Sequence, residues 1–152
     1  MEDLIVLLIP LTIIAIGYIA GTINEKNHYK SIVQREQLSL HLPAVTIKNA
    51  TDPNKQIAKA ELVYGNAVIS TDRFKQLLAG LINIFGGEVS AYETLVDRAR
   101  RESILRMKAM AHGANIILNM RIETSSISKS ANRKKSIGSV EALVYGTAVT
   151  YQ

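Results

Sequence analysis

The sequence predicts an α+β domain carried on the C-terminal side of one transmembrane helix. Three observations lead there. The N-terminus holds a long apolar run, two near-identical strand-like segments lie far apart in the second half, and helix-patterned segments fall between them. With 152 residues, the chain has room for one compact domain and an appendage.

Leu4 to Ile23 reads LIVLLIPLTIIAIGYIAGTI, and between Asp3 and Glu25 the phenol of Tyr18 is the only ionisable side chain. At about 1.5 Å per residue this run spans about 30 Å, the thickness of a hydrocarbon core. Twelve of its residues are Leu, Ile or Val, and each favours insertion by roughly 0.3–0.6 kcal/mol, which outweighs Pro10, Thr12 and Thr22. A buried core helix would rarely be so uniform. A cleaved signal peptide needs a basic start, whereas Met1-Glu2-Asp3 is acidic, and Tyr18 spoils the best cleavage site after Ala20. Acids precede the span while Lys26, Lys30 and Arg35 follow it, which predicts the N-terminus outside and the remainder cytoplasmic at the cell inner membrane. Gly17 and Gly21 form a GxxxG spacing that permits close approach of a second helix.

Residues 1–23 are thus read as the anchor and 24–60 as a juxtamembrane helix and linker. The helix carries Tyr29, Ile32, Val33 and Leu40, is open to continuity with the span, and ends before Pro43. The linker holds the turn Thr51-Asp52-Pro53-Asn54 and at most one short strand. Residues 61–152 form the domain. Leu62-Val63-Tyr64-Gly65-Asn66-Ala67-Val68 returns as Leu143-Val144-Tyr145-Gly146-Thr147-Ala148-Val149. Both copies predict strands of one sheet, with the glycines at bulges or close approaches.

Thr71 or Asp72 caps a predicted helix carrying Phe74, Leu77, Leu78, Leu81, Ile82 and Phe85, stopped by Gly86-Gly87. Ser90-Ala91-Tyr92-Glu93 is a capping box opening a second. Its predicted apolar stripe is Tyr92, Leu95/Val96, Ala99, Ser103, Met107 and Met110, with Asp97–Arg101 and Glu102–Arg106 pairs on the wet side. His112 supplies a helix-end cation and Gly113 a left-handed cap. Strands over Asn115–Ile127 and Ser139–Tyr151 complete the order strand, helix, helix, strand, strand. So thin a domain has reason to self-associate.

Chemistry is sparse. Without Cys there are no disulfides and no thiolates. His28, His41 and His112 are scattered, and no nucleophile elbow, phosphate loop or dinucleotide fingerprint occurs. Glu93, Arg100 and Glu102 form a candidate charged cluster, read first as structural. Residues 24–152 hold all 18 Lys and Arg against 11 acids, an excess suited to anionic headgroups. The loop cations Lys129, Arg133, Lys134 and Lys135 are the candidate lipid contact, with a solvated connection as the plainer reading. Basic–aromatic interleaving is missing, which argues against nucleic acid.

Gly86-Gly87, Tyr92-Glu93, Ala99-Arg100, Gly113-Ala114-Asn115 and Gly146-Thr147-Ala148 resemble the YbjQ-like family, which carries a heavy-metal-binding label. The resemblance covers about three-fifths of the chain. It implies a dodecin-like β-α-β-β subunit, with helices on one face of a small antiparallel sheet, closing into a ring of five or a multiple. This chain departs in its anchor and in Asn115, where the family often has Asp. The functional expectation is a membrane-anchored homo-oligomeric scaffold or binding protein, not an enzyme, with no cofactor and no catalytic residue. The alternative is a heavy-metal or small-ligand binder whose site forms between subunits, its metal ligands unknown.

Overall fold

The computed structural model describes residues 2–49, 55–70, 91–127 and 139–152. Helix α1 (Glu2–Leu38) runs 37 residues with Pro10 inside it, so span and juxtamembrane helix are one element. At 1.5 Å per residue it is about 55 Å long. Its stretch from Leu8 to Leu38 holds a window apolar enough to cross a membrane, and that window is not buried by the rest of the chain. Thr12 Oγ1 donates to Ile9 O (2.7 Å) and Thr22 Oγ1 to Tyr18 O (2.9 Å), so both hydroxyls are satisfied within the helix.

The domain consists of β1 (Ile57–Ser70), α2 (Ala91–Met110), β2 (Ile116–Ile127) and β3 (Ser139–Tyr151). The sheet is antiparallel in the order β1-β3-β2. This is the β-α-β-β arrangement expected, with β1 starting at Ile57 inside the stretch read as linker. The linker's other end runs parallel to β2. Val45 N–H donates to Ile117 O and Ile117 N–H to Pro43 O, both at 2.9 Å, and Met120 N–H reaches Val45 O at 2.9 Å. That contact covers the edge of β2, while β1 keeps an open edge among the described residues.

The repeated segments lie side by side, with Val63 opposite Gly146, Tyr64 opposite Tyr145 and Gly65 opposite Val144. Gly65 is where α2 presses on the sheet: a Cβ there would sit 2.5 Å from Met107 N and collide with the Ser103 carbonyl. Gly146 faces the irregular stretch of β2 between Leu118 and Arg121, where Asn119 takes φ +53°. A Cβ at Gly146 would lie 2.8 Å from Ile117 Cγ2.

The core has two parts. Leu42, Val63, Met107, Ala111, Ile117, Val144 and Ala148 pack at one end, and Leu95, Ala99, Val140 and Ala142 at the other. Ser103 Oγ lies 2.7 Å from Ala99 O and 2.8 Å from Ala142 O, between helix and sheet. Two expectations for α2 are corrected. Met110 is 44% exposed, because the helix turns its last residue outward and Ala111 fills the core instead. Glu102 is buried, because the face read as wet is covered by α1. Gly113 takes φ +74°, the left-handed cap expected after α2.

β1 runs against α2: Val63 shares a cluster with Met107, and Ile69 packs against the cluster that holds Leu95 and Ala99. Ser70, Ile127, Ser139 and the start of α2 therefore share one end of the domain. α1 approaches from that end, since Glu25 lies 3.9 Å from Arg98. The predicted helix from Thr71/Asp72 to Phe85, Gly86-Gly87, the capping residue Ser90 and the cations Lys129, Arg133, Lys134 and Lys135 lie outside the described residues.

Candidate functional site: the clasp between α1 and α2

The second half of α1 lies parallel to α2 and is joined to it by a stripe from each helix. Positions 25, 28, 29, 32, 35, 36 and 39 recur at helical spacing on α1, as do 94, 97, 98, 101, 102, 105 and 108 on α2. Ile32 is wholly buried between them.

Glu102 is the centre, with its side chain only 8% exposed. Arg35 grips both carboxylate oxygens, Nη1 on Oε1 at 3.2 Å and Nη2 on Oε2. Arg106 Nε donates to Oε1 at 3.1 Å, and His28 Nε2 stands 3.7 Å from Oε2. The hydrogen bond from Arg35 holds the Glu102 carboxyl below its ordinary pKa, against the opposing effect of burial. Glu36 and Arg101 form a second bidentate pair, with Arg101 Nε 2.7 Å from Glu36 Oε1. The bond from Arg101 likewise lowers Glu36. Nearer the start of α2 stands Tyr29, with Arg98 and Arg101 each 5.8 Å from its ring centroid. Its hydroxyl lies 3.2 Å from Asp97 Oδ2 and 3.3 Å from Thr94 O.

His28 Nδ1 accepts from Arg98 Nε at 3.2 Å and faces Arg98 Nη2 at 3.0 Å. That contact assigns the lone pair to Nδ1 and the proton to Nε2, on the Glu102 side. Burial, then the Arg98 charge, push the His28 pKa below its ordinary value.

The cluster expected of Glu93, Arg100 and Glu102 does not form. Arg100 turns to the sheet and donates to Thr124 Oγ1 at 3.1 Å, while Glu93 is exposed. Arg100 and Glu102 are two residues apart and so point to nearly opposite sides of α2, and α1, not α2 alone, supplies partners of Glu102. The roles of His28, Arg35 and Glu36 escaped the sequence reading. Their mark was present as a polar stripe on the juxtamembrane helix at the period of the charges on α2.

Where both helices end, a groove of about 490 Å³ opens between them, and its lining includes Arg35, Arg106, Lys108, His41 and His112. Two of the three scattered histidines thus line one groove, while His28 stays in the clasp. Asn115 serves the sheet: its Oδ1 accepts from Tyr151 N–H at 2.8 Å and its own N–H reaches Val149 O at 2.9 Å.

Residues 44–152 match a family model, YbjQ, described as "Putative heavy-metal-binding". The chain belongs to the YbjQ family. Proteins similar to it include a UPF0145 protein of Hahella chejuensis, 42% identical over 105 residues that cover 67% of this chain and 93% of that one. A UPF0145 protein of Psychrobacter arcticus is 45% identical over 100 residues, 64% of this chain but only 58% of its own length. A UPF0145 protein of Archaeoglobus fulgidus is 37% identical over 102 residues, covering 65% and 87%. The YbjQ match begins after α1, so Glu36 and its neighbours on that helix lie outside it.

The metal label can be tested on the donor set. Among the described residues no three His, Cys, Asp or Glu converge. The groove that unites His41 and His112 is walled by Arg35, Arg106 and Lys108, with no carboxylate in its lining. Three fixed cations beside two imidazoles do not fit a metal ion in the single subunit.

Proposed function

We propose that this YbjQ protein is a membrane-anchored, homo-oligomeric scaffold or binding protein. α1 anchors it with the N-terminus outside, and the domain stands on the cytoplasmic side of the inner membrane. The observation that carries the oligomer is the sheet face turned away from α2. Leu62 is 70% exposed there, beside exposed Tyr64, Val68 and Leu143 and half-buried Tyr145. These residues form one contiguous surface by register, since Leu62 faces Thr147, Tyr64 faces Tyr145 and Val68 faces Glu141 across the β1–β3 pair. A contiguous apolar face beside an open strand edge calls for a partner. A second copy supplies the same apolar face, and ring closure would cover it in every subunit.

Lipid contact through Lys129, Arg133, Lys134 and Lys135 belongs to the same proposal. Ile127 and Ser139, which flank that segment, lie at the end from which α1 enters.

Native mass spectrometry of the full chain in mild detergent tests the oligomer. A single species of five subunits or a multiple is expected, and Tyr64→Lys should shift it toward smaller species. A clean monomer at micromolar concentration would overturn it.

A further inference from the structure

The groove at the joint of α1 and α2 has the chemistry of an anion site. Its nitrogen-bearing side chains come from both helices: Arg35 and His41 from the α1 side, Arg106, Lys108 and His112 from the α2 side. Its apolar wall is Leu42, Leu105 and Ala111, all buried.

Capping the helix ends accounts for part of this charge only. Most carbonyls there are satisfied by backbone N–H groups: Ser39 O by Leu42, Lys108 O by Ala111, Met110 O by His112 and Ala111 O by Ala114. Lys108 Nζ donates to Ser39 O at 3.1 Å, which uses one of its three protons. His41 Nδ1 stands 2.9 Å from Leu38 O, which leaves its Nε2. The His112 ring has no partner among the described residues, and Arg106 uses Nε and Nη1 but not Nη2. Among the described residues, several donors in the groove lining are therefore left without acceptors.

The charge balance agrees. Glu102 offsets one of the three fixed cations, Glu36, which also acts on Lys108, is matched by Arg101, and each helix C-terminus contributes about half a negative charge, which leaves about one positive charge before either histidine protonates. Burial pushes the Lys108 pKa down, against the opposing pull of the Glu36 carboxylate, the mark of an ammonium short of water.

We infer that this groove binds a small organic anion, a carboxylate or phosphate joined to a compact apolar body, across the joint between the anchor helix and the domain. The head group meets Lys108, Arg106 and the histidines, and the body lies on Leu42 and Leu105. Because both helices supply the walls, an occupied groove ties the end of α1 to the domain and stiffens the joint. This is independent of the oligomer, since every lining residue comes from one chain.

The test is calorimetric titration of the full chain in mild detergent at neutral pH, with phenyl phosphate, inorganic phosphate and phenol as probes. Phenyl phosphate should bind saturably, more tightly than inorganic phosphate, with phenol not binding. Its affinity should fall as salt rises. Lys108→Gln should weaken it by about tenfold or more, the loss of a charge-assisted hydrogen bond. Lys108→Arg should restore most of it. His112→Gln, on an exposed turn, serves as a second variant that leaves helix packing untouched and should weaken binding by a few-fold. Hydrogen exchange at residues 35–42 should slow when phenyl phosphate is present. Absence of saturable binding at about 10 mM phenyl phosphate, far weaker than a ligand site requires, would overturn the inference. So would equal binding of phenol, or an affinity untouched by salt and by both Lys108→Gln and His112→Gln.

Discussion

The two halves of α1 are one continuous helix in two different surroundings. From Leu8 to Ile23 it bares Ile, Leu and Val on every side and satisfies its hydroxyls within its own turns. From Glu25 to Leu38 it carries charge, and nearly every polar side chain facing α2 finds a partner there. The first half suits a medium without water, where helix–helix attraction comes from shape. The second is held by one buried isoleucine and bidentate ion pairs. Helicity alone therefore says nothing about which medium a segment occupies; the side-chain inventory does.

Shortening Ile32 should affect this contrast most. Ile32→Ala removes the only wholly buried side chain of the clasp and should weaken it by about 2–4 kcal/mol. Ile16→Ala, in the exposed apolar half, should leave the clasp unchanged. Hydrogen exchange of residues 24–38 reads both, and equal effects would erase the distinction between the halves. Next comes Glu102→Ala, which leaves Arg35 and Arg106 facing each other. The cost should be about 2–3 kcal/mol, near the low end for a broken buried pair, because those side chains remain 39% and 55% exposed and water can reach them. Unchanged exchange would mean that the carboxylate is dispensable.

Acid should act more gently. The folded His28 pKa lies below its unfolded value near 6.5, so the folded state resists protonation. Clasp stability is then complete above that pH and declines as pH falls from about 6.5 through the folded value. Glu102 and Glu36, lowered from 4.5, add a further loss below about pH 4.5. In His28→Gln the step between pH 7 and 5.5 should vanish while the lower one persists. A wild-type clasp that is flat across both windows would contradict the lowered pKa values of His28, Glu102 and Glu36. The smallest effect should come from Tyr29→Phe. It loses the hydroxyl contacts with Asp97 and Thr94 but keeps the ring beneath Arg98 and Arg101, for about 0.5–1 kcal/mol.

Much of the fold was legible because its signals are local. The bounds of β3, the cap at Gly113 and the close approach at Gly65 each follow from a short pattern of residues. The pairing of the two repeated strands followed from their likeness, though only their register shows that Tyr64 meets Tyr145. The clasp was not legible, because it joins positions about 65 to 70 residues apart and depends on which face of α2 meets α1. Glu102 and Arg106 make the same i,i+4 pair whether wet or buried. Burial changes when Arg35 arrives from another element, and no spacing within α2 encodes that. Similarly, His41 and His112 line one groove only because two parallel helices end at one level.

Thiol labelling tests the anchored arrangement most directly, since the chain has no cysteine and each introduced thiol reports one position. Ile16→Cys and Lys48→Cys, made separately, would be exposed to a membrane-impermeant maleimide in spheroplasts and again after the membrane is opened without detergent. An anchored, cytoplasmic domain predicts no labelling at residue 16 in either condition, and labelling at residue 48 only after opening. Labelling of residue 48 in intact spheroplasts would reverse the topology, and ready labelling of residue 16 in both would contradict a membrane span altogether.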